Sequence, residues 1–207
     1  MSKIAVYFPG VGYHCDKPLL YYSRDIACEA GYDKYVNVDY KYSCGKIRGD
    51  EAKIYETYRV LYDMAVDILK DIDWDEYDDI LFVSKSIGTV IAVTYAGKMI
   101  KRGVRHILYT PLKYTFYAAG GCDLRSGEAI SSSFSDPLDA VAFIGKNDPW
   151  SNVPEVVNMA GEAGVAIYTY EDANHSLETS DTLTNIGIID DVMRKSRDYI
   201  NNESGLI

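Results

Sequence analysis

The sequence predicts an α/β protein with a doubly wound, mainly parallel sheet of six strands and helices on both faces. Short β-rich runs alternate with helical patterns along all 207 residues, and this alternation is typical of parallel strands joined by crossover helices. The run Ile80-Leu81-Phe82-Val83 is apolar on both faces, as a central parallel strand should be. Neither a linker nor an internal repeat divides the chain, so we expect a single domain over residues 1–207.

Six runs are predicted to form the strands: residues 4–8, 35–38, 80–83, 106–109, 140–144 and 165–170. The first helix is bounded by Pro18 in its opening turn and by Gly31 at its end. The helix over 50–71 has one apolar face, formed by Ile54, Tyr58, Leu61, Ala65 and Ile68. The helix over 86–101 is apolar nearly all round and is predicted to be buried. A short helix opens at Val153, and the last helix is predicted to turn inward Ile186, Ile189, Met193, Ser196 and Ile200.

The stretch over 112–137 is the least regular part of the chain. It is rich in glycine and serine, and we interpret it as a loop or flap near one end of the sheet. In open parallel sheets, ligands bind beyond the carboxyl ends of the strands. Functional residues are therefore expected in the segments that directly follow the strands.

Composition and charge narrow the classes of partner. Hydrophobic residues make up 47% of the chain and charged residues 25%, which is the balance of a folded globular protein. The net charge of −10 disfavours nucleic acid and anionic membrane surfaces as partners. The four cysteines form no CxxC pair and there are three histidines, so we expect neither a metal site nor a disulfide framework. A cytoplasmic location is expected because the sequence shows no signal-peptide pattern and no transmembrane run.

Ser86 is the first candidate for chemistry. It lies between a predicted strand and a predicted helix, and the small residues Ser84 and Gly88 flank it two positions away on either side. A sharp strand-to-helix turn needs small residues there, and it presents the serine hydroxyl above the sheet at a helix N-terminus. A serine that merely caps the helix is the alternative interpretation.

Asp148 and His175 follow the fifth and sixth predicted strands and complete a candidate set with Ser86. A serine nucleophile needs a base. His106 lies within a predicted strand and His14 follows the first strand, whereas His175 follows the last strand and fits the role best. Serine, aspartate and histidine in this chain order, each just after a strand, form the arrangement expected of α/β-hydrolases.

The sequence resembles the α/β-hydrolase superfamily over essentially its whole length. The matching segments are an oxyanion loop Phe8-Pro9-Gly10-Val11-Gly12, a nucleophile elbow Ser84-Lys85-Ser86-Ile87-Gly88, an acid loop Gly145-Lys146-Asn147-Asp148-Pro149 and a base loop Ala173-Asn174-His175-Ser176. The chain looks similar to the dienelactone-hydrolase and minimal esterase branch, with serine rather than cysteine as nucleophile. Pro9-Gly10 replaces the usual His-Gly, and there is no room for a large cap domain.

The resemblance implies a catalytic triad. Ser86 would attack a carbonyl carbon, His175 would take its proton, and Asp148 would hold the imidazole in the required tautomer. Lys85 is expected either to be solvated or to contact the catalytic residues without taking part in catalysis. The resemblance implies no cofactor.

The resemblance also implies an oxyanion hole built from backbone amides. One amide is that of Ile87, and the second is that of Val11, with Gly12 as the alternative. Aromatic residues near the strand ends are candidate pocket walls: Tyr13, Tyr114, Phe116, Tyr117 and Trp150.

These assignments predict a serine hydrolase that cleaves a small soluble carboxylic ester, or a related acyl compound, through an acyl-enzyme. An acyltransferase or thioesterase would use the same triad. A dinucleotide-binding oxidoreductase is a weaker alternative, because Gly10-Val11-Gly12 follows a strand but Cys15 occupies the third glycine position. A non-catalytic binding protein with the same fold is a further alternative. The sequence leaves the oligomeric state open.

Overall fold

Six strands form one sheet, and every neighbouring pair in it runs parallel. The computed structural model describes residues 1–128 and 137–202. Within them the strands are β1 (Lys3–Phe8), β2 (Lys34–Asn37), β3 (Asp79–Lys85), β4 (Arg105–Tyr109), β5 (Ala140–Gly145) and β6 (Ala166–Tyr170). Their order across the sheet is β2-β1-β3-β4-β5-β6, so β2 and β6 form the two edges.

The strands alternate with helices as predicted. The described residues contain one 3-10 turn (Trp74–Glu76) and the α-helices α1 (Pro18–Glu29), α2 (Glu51–Leu69), α3 (Ile87–Met99), α4 (Lys113–Ala119), α5 (Val153–Glu162) and α6 (Thr182–Asn201). Pro18 opens α1. The carboxylates of Asp50 and Asp181 cap α2 and α6 by accepting backbone N–H bonds. None of these helices in the described part of the chain is long and apolar enough to cross a membrane.

Each face of the sheet carries its own core, because successive side chains of a strand point to opposite faces. Helices α2 to α5 cover one face, where Phe82 of β3 and Leu61 of α2 belong to the same apolar cluster. Helices α1 and α6 cover the other face, where Val83 clusters with Leu20 of α1 and Val192 of α6. The prediction of a doubly wound sheet with helices on both faces is confirmed.

In α2 and in α6, a residue that faces the core lies one or two positions after the predicted one. Ile68 of α2 is 37% exposed while Leu69 is buried, and Ile186 of α6 is 59% exposed while Ile188 is buried. One step along an α-helix turns a side chain by about 100°. Where two apolar residues lie close together in sequence, their packing partners decide which of them faces the core.

The predicted flap over 112–137 begins as helix α4 rather than as an irregular loop. A hydrogen bond of 2.6 Å between the hydroxyls of Thr115 and Thr89 ties α4 to α3. After α4, the Asp123 carboxylate accepts the N–H bonds of Arg125 and Ser126 and forms a turn. Residues 129–136 lie outside the described residues, so the rest of the flap stays a prediction.

The first turn of α3 lies directly against the loop that follows β1. A Cβ atom at Gly88 would lie 2.3 Å from the carbonyl oxygen of Phe8 and 2.6 Å from that of Pro9. These distances are far below van der Waals contact, and both atoms belong to the backbone. Only glycine therefore lets these two segments pack at this separation.

We expect Gly88→Ala to destabilise the protein, by about 1–3 kcal/mol, because the added methyl group forces two backbone segments apart. Gly97→Ala is the matched control, since Gly97 lies on the same helix with no heavy atom within 4 Å of the added Cβ. Replacing a helical glycine by alanine there should stabilise by about 0.5–1 kcal/mol. Urea unfolding of both variants measures the difference. Equal effects at the two positions would contradict the close packing at Gly88.

Candidate active site

Ser86 lies on a strained turn between β3 and α3. Its backbone has φ 57° and ψ −127°, a region that residues other than glycine rarely adopt. The Ser86 N–H donates to the Tyr109 carbonyl oxygen at 2.9 Å. A Cβ atom at Gly10 would lie 3.0 Å from Ser86 Cβ, so the loop after β1 packs directly against this serine. The surrounding backbone thus fixes the turn and places Ser86 at the N-terminus of α3.

Asp148 lies on the turn that follows β5. A Cβ atom at Gly145 would lie 2.1 Å from the Ala173 carbonyl oxygen, so this turn packs closely on the segment after β6. Two backbone hydrogen bonds join the same segments: Lys146 N–H donates to the Tyr170 carbonyl oxygen at 2.8 Å, and Asn147 N–H donates to that of Ala173 at 3.0 Å. These contacts bring the predicted acid loop and base loop together.

His175 lies in a tight turn after β6. The Asn174 side chain accepts the N–H bonds of Ser176 at 2.7 Å and Glu178 at 3.3 Å. Ala173 and Leu177 on either side are buried in the core below α1 and α6. The turn is therefore anchored at both ends, and the imidazole is held at the carboxyl edge of the sheet.

The side chains of Ser86, His175 and Asp148 form a continuous hydrogen-bonded chain. His175 Nε2 lies 2.8 Å from Ser86 Oγ, and His175 Nδ1 lies 2.7 Å from Asp148 Oδ2. The other carboxylate oxygen accepts the Trp150 N–H at 2.8 Å, and the Trp150 ring stacks on the imidazole with centroids 5.3 Å apart. With Nδ1 donating to the carboxylate, Nε2 can accept the hydroxyl hydrogen of Ser86. Such an arrangement can activate a serine as nucleophile.

Burial and neighbouring charges set the protonation of His175. Burial lowers the pKa of His175 and the charge of Lys85 lowers it further, whereas the hydrogen bond and the charge of Asp148 raise it. The net direction is downward from the ordinary value of imidazole. The ring is therefore neutral at pH 7, which is the form able to accept a proton.

Lys85 is buried, with 2% exposure. Of the two expectations for Lys85, this burial contradicts the solvated one and leaves the supporting one. Its Nζ donates to the His175 carbonyl oxygen at 2.9 Å and to Thr110 Oγ1 at 3.3 Å, and it lies 4.6 Å from the centroid of the Tyr13 ring. No sequence pattern marks this burial, because the last residue of a strand can point to solvent as well as to the interior.

The residues predicted for the oxyanion hole lie on both sides of Ser86. Ile87 is the first residue of α3, and the N–H groups of a helix's first turn have no partner within the helix. On the other side, the loop after β1 makes a tight turn in which Tyr13 N–H donates to the Gly10 carbonyl oxygen at 3.1 Å. Gly12 there has φ 73°, and Val11 is 36% exposed.

Three concave spaces are lined by residues adjacent to the three hydrogen-bonded side chains rather than by those side chains themselves. The acid-side groove, of about 570 Å³, is lined by residues that include Arg48, Glu51, Tyr114, Trp150 and Asn152. The loop-side groove, of about 510 Å³, is lined by residues that include Gly10, Gly12, Tyr13, Asp39 and Tyr40. An apolar slit of about 10 Å³ adjoins the acid-side groove and is lined by Ile54, Tyr55, Tyr58, Ile87, Val90, Tyr114 and Leu124.

The predicted pocket walls separate into two groups. Trp150 stacks on His175, Tyr114 lines both the slit and the acid-side groove, and Tyr13 lines the loop-side groove beneath Lys85. Phe116 is instead buried in the core between α4, α5 and the sheet, and together with Tyr117 it lines a different cavity. On α4, Phe116 follows Tyr114 by two positions and points to the core, whereas Tyr117 follows Tyr114 by three and its ring lies 6.1 Å from that of Tyr114.

The other two histidines lie elsewhere. The side chain of His14 is 66% exposed. His106 is buried against the ring of Phe82, and burial lowers its pKa to about 3. Among the described residues, no three histidine, cysteine or acidic side chains cluster closely enough to hold a metal ion.

Solved structures of other proteins share this fold at low sequence identity. An esterase from Pyrococcus furiosus matches with a TM-score of 0.60 and 15% identity, covering 99% of this chain and 84% of that one. An alpha-beta serine hydrolase homologue from Coxiella burnetii matches with a TM-score of 0.52 and 14% identity, covering 94% and 84%. No protein-family model and no curated protein matches the sequence. The chain therefore has the α/β-hydrolase fold, and the narrower branch stays a prediction.

We expect Asp148→Asn to lower the pKa of His175 further, because the carboxylate that stabilises the imidazolium is removed. Asp172→Asn is the matched control. It removes a carboxylate from the exposed start of the same turn, where Asp172 contacts Asn147 rather than His175. A pH titration of the imidazole resonances by NMR measures both variants. A rise in the pKa of His175 in Asp148→Asn would contradict the described geometry.

Proposed function

We propose that this protein is a serine hydrolase that cleaves a small soluble carboxylic ester, or a related acyl compound, through an acyl-enzyme. The observation that carries the proposal is the hydrogen-bonded chain from Ser86 through His175 to Asp148 on a strained strand-to-helix turn. The resemblance of the fold to structures named as esterase and serine hydrolase homologue supports it. The buried and neutral imidazole supports it independently, because a general base must start unprotonated.

In the proposed first step, Ser86 Oγ attacks the acyl carbon of the ester while His175 Nε2 takes the hydroxyl proton. The C=O electron pair moves onto the oxygen, which the backbone N–H groups of Ile87 and of Val11 or Gly12 would stabilise. The tetrahedral intermediate then expels the alcohol, which leaves with the proton from Nε2. Asp148 stabilises the imidazolium while it carries that proton.

In the proposed second step, water replaces the alcohol. Its oxygen attacks the acyl-enzyme carbonyl while Nε2 takes a proton, and the second tetrahedral intermediate releases the carboxylic acid and restores the Ser86 hydroxyl. Activity should therefore rise as the pH passes upward through the pKa of His175, which lies below the ordinary value of imidazole.

The spaces next to the loops of the proposed triad support a small acyl group as substrate. The apolar slit beside Ile87 is about 10 Å³ in volume, which is on the order of one water molecule. The acid-side and loop-side grooves are open and partly polar, so a long hydrocarbon chain lying in either would remain largely in water. Burial of a CH₂ group contributes about 0.8 kcal/mol only when the group leaves water.

We expect a fluorophosphonate probe to label the protein, and Ser86→Ala and His175→Ala to abolish the labelling. The loss of a triad serine lowers kcat by about 10⁶-fold. His14→Ala is the matched control, because this exposed histidine lies outside the hydrogen-bonded chain, and it should label normally. Labelling that survives in Ser86→Ala would overturn the proposed nucleophile.

We expect kcat/KM on p-nitrophenyl esters to be highest for short acyl chains and to fall toward palmitate, because the slit has no room for a long chain. Tyr114→Ala should move the optimum toward longer chains, since Tyr114 forms one wall of the slit. The same substitution at exposed Tyr22 of α1 should leave the optimum in place. A maximum at long chains, or a jump in rate above the solubility limit of the ester, would contradict a binding site that is small and open to water.

A further inference from the structure

Lys85 is a lysine buried directly beside the proposed nucleophile. It is the last residue of β3, so it shares a peptide bond with Ser86, and it is nearly inaccessible to solvent. Lysine is almost never fully buried unless an opposite charge pairs with it. Within residues 1–128 and 137–202, no carboxylate lies within 4.0 Å of its ammonium group. The fold therefore keeps a charge in its interior without a direct ion pair.

The partners of the Lys85 ammonium connect it to the base rather than to the nucleophile. Its shorter hydrogen bond, of 2.9 Å, ends on the backbone carbonyl of His175. The second, of 3.3 Å, ends on the hydroxyl of Thr110, a residue with φ 45° directly after β4. The face of the Tyr13 ring supports the charge from a third side. The ammonium thus joins the ends of β3, β4 and β6 at one point.

We propose that Lys85 is a positioning residue, which fixes the backbone of His175 relative to Ser86 and uses its positive charge to keep the imidazole neutral. This inference rests on the proposed function of the triad. Besides burial, which lowers the pKa of His175 most, two charges act on it in opposite directions: the carboxylate of Asp148 favours the imidazolium, and the ammonium of Lys85 disfavours it. Asp148 orients the ring through Nδ1, and Lys85 holds the backbone that carries the ring, which stays able to accept a proton.

The charge on Lys85 changes near pH 8. Burial lowers the pKa of Lys85 to about 8, against the carboxylates of Asp148 and Glu178, which raise it. The Tyr13 ring also faces the ammonium, and the imidazole of His175 lies near enough for the charge of Lys85 to lower its pKa. Above pH 8 the amine can still donate a hydrogen bond, but its charge is lost. Lys85 therefore acts electrostatically on His175 only below about pH 8.

An NMR titration of the His175 imidazole tests this proposal without any assay of hydrolysis. Lys85→Met removes the charge and keeps most of the side-chain volume, so we expect the pKa of His175 to rise. Lys85→Arg keeps the charge and should hold that pKa near the wild-type value. Lys17→Met is the matched control, because it removes an exposed lysine just before α1, and it should change nothing. An unchanged pKa of His175 in Lys85→Met would overturn the electrostatic role of Lys85.

The wild-type protein provides a second measurement in case Lys85→Met does not fold. The His175 resonances should show an additional inflection near pH 8, as the neighbouring ammonium loses its proton. The absence of that inflection would also overturn the electrostatic role.

Kinetics separate this proposal from the proposed function. If the protein hydrolyses esters, Lys85→Met should lower kcat by about 10²-fold with a smaller change in KM, because a misplaced base slows the chemical step. Lys85→Arg should recover part of kcat. If the wild-type protein hydrolyses no ester, the proposed function fails, while the NMR titration still decides whether Lys85 controls His175.

Discussion

Close backbone packing at the carboxyl edge of the sheet is the constraint on which the site depends. Gly88 lies against the carbonyl groups of Phe8 and Pro9, and Gly145 lies against that of Ala173. The first contact joins the turn at Ser86 to the loop after β1, and the second joins the turns after β5 and β6. A side chain at either glycine would separate loops whose side chains meet at distances below 3 Å. Backbone packing thus sets the distances between the loops, and these distances allow the polar side chains to form hydrogen bonds.

Three chain segments of the site could be predicted because each follows a strand directly. Parallel strands bring their carboxyl ends to one edge, so the apolar runs before Ser86, Asp148 and His175 predict that these residues lie near one another. Lys85 could not be placed in the same way. Its burial depends on Thr110 and the His175 carbonyl, contacts that the sequence pattern does not record. Phe116 illustrates the same limit, because the helical turn of α4 decides which aromatic residues face the site.

The charges at the site balance one another. Burial lowers the pKa of His175 most, while the carboxylate of Asp148 and the ammonium of Lys85 oppose each other's effect on the imidazole. The interior strengthens both effects, because charges interact more strongly in a low dielectric medium. Trp150 adds to this environment, because its ring stacks on the imidazole and its backbone N–H donates to Asp148. Protonation of the imidazole is therefore a property of the assembled loops and not of His175 alone.

The position of His175 after an edge strand has a consequence for the dynamics of the protein. Strand β6 pairs with β5 alone and is mostly half-buried or exposed, whereas β3, which precedes Ser86, is buried along nearly its whole length. Local opening of a fold starts where few apolar contacts hold the backbone. Amide hydrogens of β6 should exchange with solvent sooner than those of β3. The base could then separate from the nucleophile in a fluctuation that leaves the centre of the sheet folded, and the fraction of competent molecules would fall before the protein unfolds.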